Sequence, residues 1–241
     1  MRVDEKKRLR WDTFVIILAI WSVLYVPFGI SFRITDAQGV QYVNYFVDSI
    51  FVLDILINFR TTYFDKEGDE IYEGRSIAKR YIKSGKLVID LLATVPVEYF
   101  VTGQVTFVQL LQLLKIIRVR RLPFIISRSN LREESKNVFK VLQLIFILVL
   151  IYHLSSCLWV VVISQSEVWI PPVDFIDYTK SDYFNESIIK RYLLAVYYSI
   201  LLLNGGEIGP RTTGELIVAS LVMIAGSIIN ANLFGTMVMY I

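Results

Sequence analysis

Apolar residues in this chain fall into long runs that are separated by short polar segments. The runs predict six membrane-spanning helices, at residues 12–32, 43–63, 86–101, 104–124, 138–164 and 214–241. Between the last two runs lies an apolar stretch of about a dozen residues, which is too short to cross a bilayer and ends in a glycine-rich loop. Irregular backbone is tolerated at membrane depth only where protein buries it or where it lines water. The pattern therefore predicts a re-entrant pore helix, a filter loop and a pore-lining last helix.

The composition agrees with an all-α membrane protein. Apolar residues make up 55% of the 241 positions and the mean hydropathy is +0.54, which is too apolar for an ordinary soluble domain. The single cysteine, Cys157, excludes a disulfide framework, and we interpret it and His153 as packing residues of an apolar helix. The sequence has no nucleophile motif, phosphate-binding loop or metal-ligand cluster. We therefore expect that the protein is not an enzyme, that this chain holds no cofactor or metal, and that it binds no nucleic acid.

Basic residues are concentrated in alternate loops. The amino-terminal flank, the loop after the second span and the segment after the fourth span are basic, whereas the loops at the opposite ends carry little charge. By the positive-inside rule both termini are predicted to be cytoplasmic, in a multi-pass protein of the cell membrane or of a ciliary or organelle membrane. The segment from Ser164 to Arg191 is then extracellular, so Asn185 is predicted as a glycosylation acceptor. The alternative is an unmodified turn.

Acidic residues within the second and third apolar spans indicate a domain with internal charge pairing. These residues are Asp48, Asp54 and Asp90. A carboxylate within a membrane is costly unless a cation or water meets it. We therefore predict that all three are counter-charges, with hydration at the membrane interface as the alternative, especially for Asp48.

The fourth span carries polar residues at every third position, and its cations on that stripe are Lys115, Arg118 and Arg121. Basic residues with this spacing in an apolar helix are typical of a voltage sensor. The alternative is a helix end whose cations extend to the cytoplasmic interface, since all of them lie in the inner half of the span. We predict a voltage-sensor-like four-helix domain with a small gating charge.

Several segments resemble the cyclic-nucleotide-binding-domain channel superfamily, which includes the cyclic-nucleotide-gated, hyperpolarisation-activated and ether-à-go-go channels. They are WDTFVIILAIWSVLYVPFGISF, DSIFVLDILINFRTTYFDKEGDEIYEGRSIAKRYI, VIDLLATVPVEYF and IAGSIINANLFG, together with His153 followed by Cys157 and Trp159. The resemblance implies a homo- or heterotetramer of like subunits in a lipid bilayer, with each sensor beside its own pore domain. It also implies a cytoplasmic domain, outside these residues, that binds a cyclic nucleotide.

The predicted selectivity filter consists of Asn204, Gly205, Gly206, Glu207, Ile208 and Gly209. It contains no Gly-Tyr-Gly, so it cannot build the stack of carbonyl layers of a potassium filter. Gly206-Glu207 followed by Gly209-Pro210 resembles the Gly-Glu-X-Pro filter of cyclic-nucleotide-gated channels. That resemblance implies a ring of Glu207 carboxylates around the pathway of permeant cations. In the alternative readings, Glu207 rims a hydrated vestibule or pairs with Arg211.

Asn230 and Phe234 lie one turn apart on the last helix. The resemblance places them at the positions of the hydrophobic gate, where Asn230 departs from the apolar pattern. An asparagine in an apolar helix either faces water or hydrogen-bonds a neighbouring helix, and we predict that Asn230 faces the pore. Phe234 would form the narrow apolar constriction of the gate.

Together these patterns predict a weakly selective cation channel subunit with a sensor domain and a pore domain. The predicted segments are a cytoplasmic flank (1–11), the sensor-like domain (12–127), a linker (128–137) and the pore domain (138–241). Within the pore domain these are the fifth helix (138–164), turret (165–190), pore helix with filter (191–212) and sixth helix (214–241). Two alternatives stay open: a potassium-selective channel with an atypical filter, and a non-conducting regulatory subunit.

Overall fold

A computed structural model describes residues 6–34, 38–65, 67–92, 94, 132–166, 168–171 and 180–239. Its helices are α1 (Lys6–Ser31), α2 (Gln38–Asn58), α3 (Gly74–Lys83), α4 (Lys86–Leu92), α5 (Glu133–Ser166), α6 (Lys180–Asn185), α7 (Ile188–Leu203) and α8 (Thr213–Val238). Two short strands, β1 (Tyr63–Phe64) and β2 (Glu70–Ile71), lie between α2 and α3. The described part of the chain is thus almost entirely helical, as predicted.

Four of the described helices, α1, α2, α5 and α8, are long and apolar enough to cross a membrane. They correspond to the first, second, fifth and sixth predicted spans. Of the third predicted span, the structure describes residues 86–92 as α4 and Thr94 as a turn. The fourth predicted span, with Lys115, Arg118 and Arg121, lies outside the described residues.

The prediction that the second span continues to residue 63 is wrong, because α2 ends at Asn58. Tyr63 and Phe64 pair with Ile71 and Glu70 in an antiparallel hairpin. The tip of the hairpin contains Gly68, whose φ of 92° suits a glycine. The polar stretch Asp65-Lys66-Glu67-Gly68, between two short runs of strand-forming residues, is the sequence signal for this turn.

The chain divides into two compact units. One contains the described residues from α1 up to Val26 and from Ile34 to Thr94, and the other contains Pro27–Arg33 and the residues from α5 onward. The last turn of α1 therefore groups with the second unit, which the predicted domain boundaries did not anticipate. Helix α5 also begins five residues before the predicted start of the fifth helix, at Glu133 rather than residue 138.

Each unit has its own apolar core. In the first unit, α1 and α2 pack through Val15, Ala19, Val47, Ile50 and Phe51. In the second, residues of α5, α7 and α8 and of the segments that connect them form a cluster rich in aromatic rings. Its members are Trp159, Ile163, Trp169, Tyr183, Tyr198, Leu202, Ile208 and Ala219. This second core is the support on which the predicted filter loop rests.

Candidate functional site

Helix α7 ends in a Schellman motif, the arrangement in which a left-handed residue follows the helix and two amides turn back onto it. Gly205 has a φ of 82° and donates its backbone N–H to the carbonyl of Leu202 at 3.2 Å. Gly206 donates its N–H to the carbonyl of Leu201 at 2.7 Å. The first three predicted filter residues, Asn204 to Gly206, thus form the carboxyl-terminal cap of this helix.

Helix α8 begins with a capping box. Thr212 Oγ1 accepts a hydrogen bond from the Glu215 backbone N–H at 3.2 Å, and Glu215 Oε2 accepts the Thr212 N–H at 3.1 Å. The same carboxylate oxygen accepts the backbone N–H of Arg211 at 2.7 Å. Glu215 is 0% exposed. Only residues 207–211 therefore connect the two caps, and hydrogen bonds of the caps fix both ends of this segment, which we call the filter loop after its predicted role.

Within the filter loop, neighbouring residues differ in environment. Ile208 is buried, and its backbone carbonyl accepts a hydrogen bond from Trp169 Nε1 at 2.9 Å. The preceding side chain, Glu207, is exposed. Gly209 has a φ of 60°, which turns the chain back toward α8. The loop therefore presents the Glu207 carboxylate outward while Ile208 anchors the backbone in the core of the second unit.

Sequence reasoning did not single out Trp169, which is 39 residues away from Ile208 along the chain. The ring of Trp169 meets three other rings edge-on: Trp159 at 5.6 Å, Tyr183 at 5.8 Å and Tyr198 at 5.4 Å between centroids. Such edge-to-face pairs fix ring orientation. A tryptophan within the polar segment after the fifth helix was the available signal.

Tyr183, on α6 in the predicted turret, is another buried member of this cluster. Burial raises the pKa of its phenol to about 12, although the guanidinium of Arg191 acts in the opposite direction. Arg191 also lies over the rings of Phe184 and Phe32, at 5.4 and 5.5 Å from their centroids. The neutral phenol and this cation–π packing tie the turret to the start of α7.

Asn230 hydrogen-bonds the end of α7. Its Nδ2 donates to the carbonyl of Leu203 at 3.1 Å and to Oδ1 of Asn204 at 3.3 Å. One turn earlier on α8, a β-carbon added to Gly226 would lie 2.6 Å from the same Leu203 carbonyl oxygen. Asn230 thus makes a hydrogen bond to a neighbouring helix of its own subunit, and its exposure to the pore stays a prediction. Phe234 is 59% exposed in the single chain, and its role as a gate stays a prediction.

The predicted counter-charges are all buried. Asp54 accepts hydrogen bonds from Trp11 Nε1 at 3.0 Å and from Asn58 Nδ2 at 3.2 Å. Asp90 accepts one from the Tyr81 hydroxyl at 2.5 Å, and Asp48 is buried on α2. Polar partners on neighbouring elements thus contribute to holding Asp54 and Asp90. The sensor cations lie outside the described residues, so their pairing with the three carboxylates stays a prediction.

Arg8 is a buried cation that the sequence analysis had assigned to the amino-terminal flank. Its guanidinium lies 2.8 Å from a carboxylate oxygen of Asp12 and donates to Oδ1 of Asn58 at 2.8 Å and to Oγ1 of Thr61 at 3.1 Å. Because α1 already begins at Lys6, this arginine lies on the helix rather than in a flexible flank. It links the first turns of α1 to the end of α2.

The remaining candidates occupy ordinary surroundings. His153 Nδ1 lies 2.8 Å from the Tyr192 hydroxyl, and the Ser31 hydroxyl donates to the Cys157 carbonyl at 2.8 Å. Both fit the interpretation as packing residues. Asn185 is exposed at the end of α6, and its glycosylation stays a prediction. Among the described residues, no cluster of histidine, cysteine and carboxylate side chains could hold a metal ion.

A model of the family described as ion transport protein matches residues 8–241. The chain belongs to this family. As a member of this family, the chain itself is an all-α, multi-pass channel segment and not an enzyme, and members of the family are typically tetrameric.

The names of three relatives also describe ion channels. The chain is 27% identical over 256 residues to the voltage-gated inwardly rectifying potassium channel KCNH7 of Mus musculus. It is 28% identical over 253 residues to KCNH6 of Rattus norvegicus, and 27% identical over 251 residues to KCNH2 of Canis lupus familiaris, which have the same descriptive name. Each alignment covers 93% of this chain but only 21%, 26% and 21% of the respective relative. The resemblance to the transmembrane part of the cyclic-nucleotide-binding-domain channel superfamily is thereby confirmed.

Proposed function

We propose that this chain forms the transmembrane part of a tetrameric, weakly selective cation channel whose filter is a ring of Glu207 carboxylates. The observation that carries the proposal is the Schellman cap of α7. It uses Asn204, Gly205 and Gly206 to close the helix. The filter loop that remains is too short for the successive carbonyl layers of a potassium-selective filter.

The exposure of Glu207 supports the same function. Its side chain is exposed, whereas the neighbouring Ile208 is buried. Four such carboxylates around an axis would attract cations, exclude anions and hold a divalent cation long enough to slow monovalent current. A loop that coordinates hydrated ions through carboxylates discriminates poorly between potassium and sodium, because neither ion must lose its water shell.

The exposure of α8 supports assembly around a pore. Only 11% of its most apolar stretch is buried within the chain, compared with 44% for α1. A helix that is apolar all round is covered by lipid or by other protein. We propose that neighbouring subunits and the ion pathway account for its free faces, whether the four subunits are identical or different.

A potassium-selective channel is the second candidate. The names of KCNH7, KCNH6 and KCNH2 describe potassium channels, and these relatives align with nearly the whole chain. The filter loop of this chain would then have to select potassium without a Gly-Tyr-Gly sequence. Modulation by a cyclic nucleotide, and cytoplasmic termini, remain further parts of the first proposal that follow from the family resemblance and the loop charges.

Bi-ionic reversal potentials test the proposal. The full-length protein that contains this chain is expressed alone, with potassium on one side of the membrane and sodium on the other. Glu207→Gln is compared with Glu186→Gln, which removes a carboxylate from the predicted turret, where it pairs with Lys190. We expect a reversal potential near zero. We also expect divalent block to be weakened by about tenfold in Glu207→Gln only, because the binding oxygens of the ring lose their charge.

Each other outcome has a definite meaning. Strong potassium selectivity of the unmodified protein would favour the second candidate. If divalent cations block Glu207→Gln and Glu186→Gln equally strongly, Glu207 does not lie in the ion pathway. Absence of current, with the protein present at the cell surface, would favour a regulatory subunit that conducts only with a partner, or not at all.

A further inference from the structure

The Ile208 carbonyl is the part of the filter loop that a distant residue controls. It accepts the indole N–H of Trp169 at 2.9 Å, and the two residues are 2% and 1% exposed. A filter carbonyl can coordinate a permeating ion only if its oxygen points to the pathway. This carbonyl points instead into the aromatic core of its own unit.

We propose that Trp169 is a positioning residue for ion selection, which withholds the Ile208 carbonyl from permeating cations and thereby turns the Glu207 carboxylate outward. This inference rests on the proposed function, and it identifies Trp169 as the residue that holds the filter loop in that arrangement. Glu207 is exposed although it is bonded directly to the buried Ile208. Fixing Ile208 in the core therefore limits the positions that the neighbouring Glu207 side chain can take.

The surroundings of Trp169 make it suited to this task. Its ring is held edge-on by Trp159, Tyr183 and Tyr198, which belong to α5, α6 and α7. The indole nitrogen therefore has little freedom to leave the carbonyl. A buried carbonyl that lost this donor would be unsatisfied, and rotation of the peptide toward water would relieve it. That rotation would place a carbonyl oxygen in the pathway and move Glu207.

Trp159 offers a matched control within the same core. It is as buried as Trp169 and packs against it, but its indole nitrogen has no hydrogen-bond partner in the described structure. Trp159→Phe and Trp169→Phe remove the same atoms from the same cluster. Only Trp169→Phe removes a hydrogen bond to the filter loop. A difference between the two variants therefore reports on the loop rather than on packing.

The experiment measures the potassium-to-sodium permeability ratio and the external calcium block of the full-length channel. We expect Trp169→Phe to change the permeability ratio and to weaken calcium block about fivefold or more, while Trp159→Phe retains both values. A second arm places at position 169 a tryptophan analogue whose indole nitrogen is replaced by carbon. Since this analogue keeps the ring, it decides the question even if Trp169→Phe does not reach the cell surface.

The proposal is overturned if the analogue has the permeability ratio and calcium block of the unmodified channel, or if the two phenylalanine variants change them equally. Failure of the proposed function looks different. It would appear in the unmodified channel and in Glu207→Gln, as strong potassium selectivity or as calcium block that is independent of Glu207.

Discussion

The side-chain amide of Asn230 donates a hydrogen bond to the carbonyl oxygen of Leu203, the last residue of α7. The last four carbonyls of a helix have no partner within it. In α7, those of Ile200, Leu201 and Leu202 accept backbone N–H groups from the capping residues 204–206. Asn230 supplies the donor for the fourth, so the carboxyl terminus of α7 is completed by a residue of α8.

Replacing Asn230 tests this role. We expect Asn230→Leu to lower the free energy of unfolding by about 1–3 kcal/mol, because the buried Leu203 carbonyl loses its donor. The measurement is the temperature at which the purified full-length channel loses its size-exclusion peak. Asn232→Leu is the control, since Asn232 is exposed and, within the described part of the chain, donates to Ile228 of its own helix. A changed single-channel conductance with an unchanged melting temperature would instead support a pore-facing Asn230.

Substitution of two glycines of α8 by alanine is predicted to have opposite effects on stability. In Gly226→Ala the new methyl group would lie 2.6 Å from the Leu203 carbonyl oxygen, so α7 and α8 must move apart. In Gly235→Ala the methyl group meets no atom within 4 Å in the described structure. We expect Gly226→Ala to destabilise the channel by about 1–3 kcal/mol. Gly235→Ala should be neutral or stabilising by about 0.5–1 kcal/mol through helix propensity. Equal melting temperatures for the two variants would contradict the close approach at Gly226.

The cap of α7 depends on a left-handed residue. We expect Gly205→Ala, at a φ of 82°, to cost about 1–2 kcal/mol through steric strain. Gly214→Ala, within α8 and free of neighbours within 4 Å, serves as the control. Because the cap fixes one end of the filter loop, Gly205→Ala should also broaden the range of single-channel conductance levels. A melting temperature equal to that of Gly214→Ala would show that the loop does not require this backbone conformation.

Arg8 is predicted to stabilise the first unit. In Arg8→Gln the buried carboxylate of Asp12 loses the guanidinium beside it, and such a loss costs about 3 kcal/mol where a charge pair is buried. Arg10→Gln, on the exposed side of the same helix, should change the melting temperature little. Similar losses in both variants would indicate that the flank acts through its total charge rather than through the contacts of Arg8.

The membrane-spanning helices were predictable because each has to bury a long apolar run, and the run itself is visible in the sequence. The loop between α7 and α8 was predictable from the short apolar helix and the glycines that follow it, whereas its role as a selectivity filter stays a prediction. The Schellman cap was also within reach, since Asn204-Gly205 directly after an apolar helix is a common terminator.

Other features depend on contacts between residues that are far apart in the chain. The hydrogen bonds from Trp169 to Ile208 and from Asn230 to Leu203 join different elements of the fold. The hydrophobic periodicity of the sequence does not predict them. Arg8 was misplaced for a related reason. A cation near the start of an apolar run suggests a solvated flank, unless the polar groups at the end of α2 that receive it are known.

The two caps that bound the filter loop define where this part of the molecule can be exchanged as a cassette. A transplant of residues 207–211 alone leaves the cap residues Asn204, Gly205 and Gly206 and the Thr212–Glu215 pair in place. A transplant that begins at Asn204 also replaces a side chain that accepts a hydrogen bond from Asn230. This channel then loses a hydrogen bond between α7 and α8 in addition to its own filter loop. Chimaeras of this channel are therefore best joined between Gly206 and Glu207 on one side and between Arg211 and Thr212 on the other.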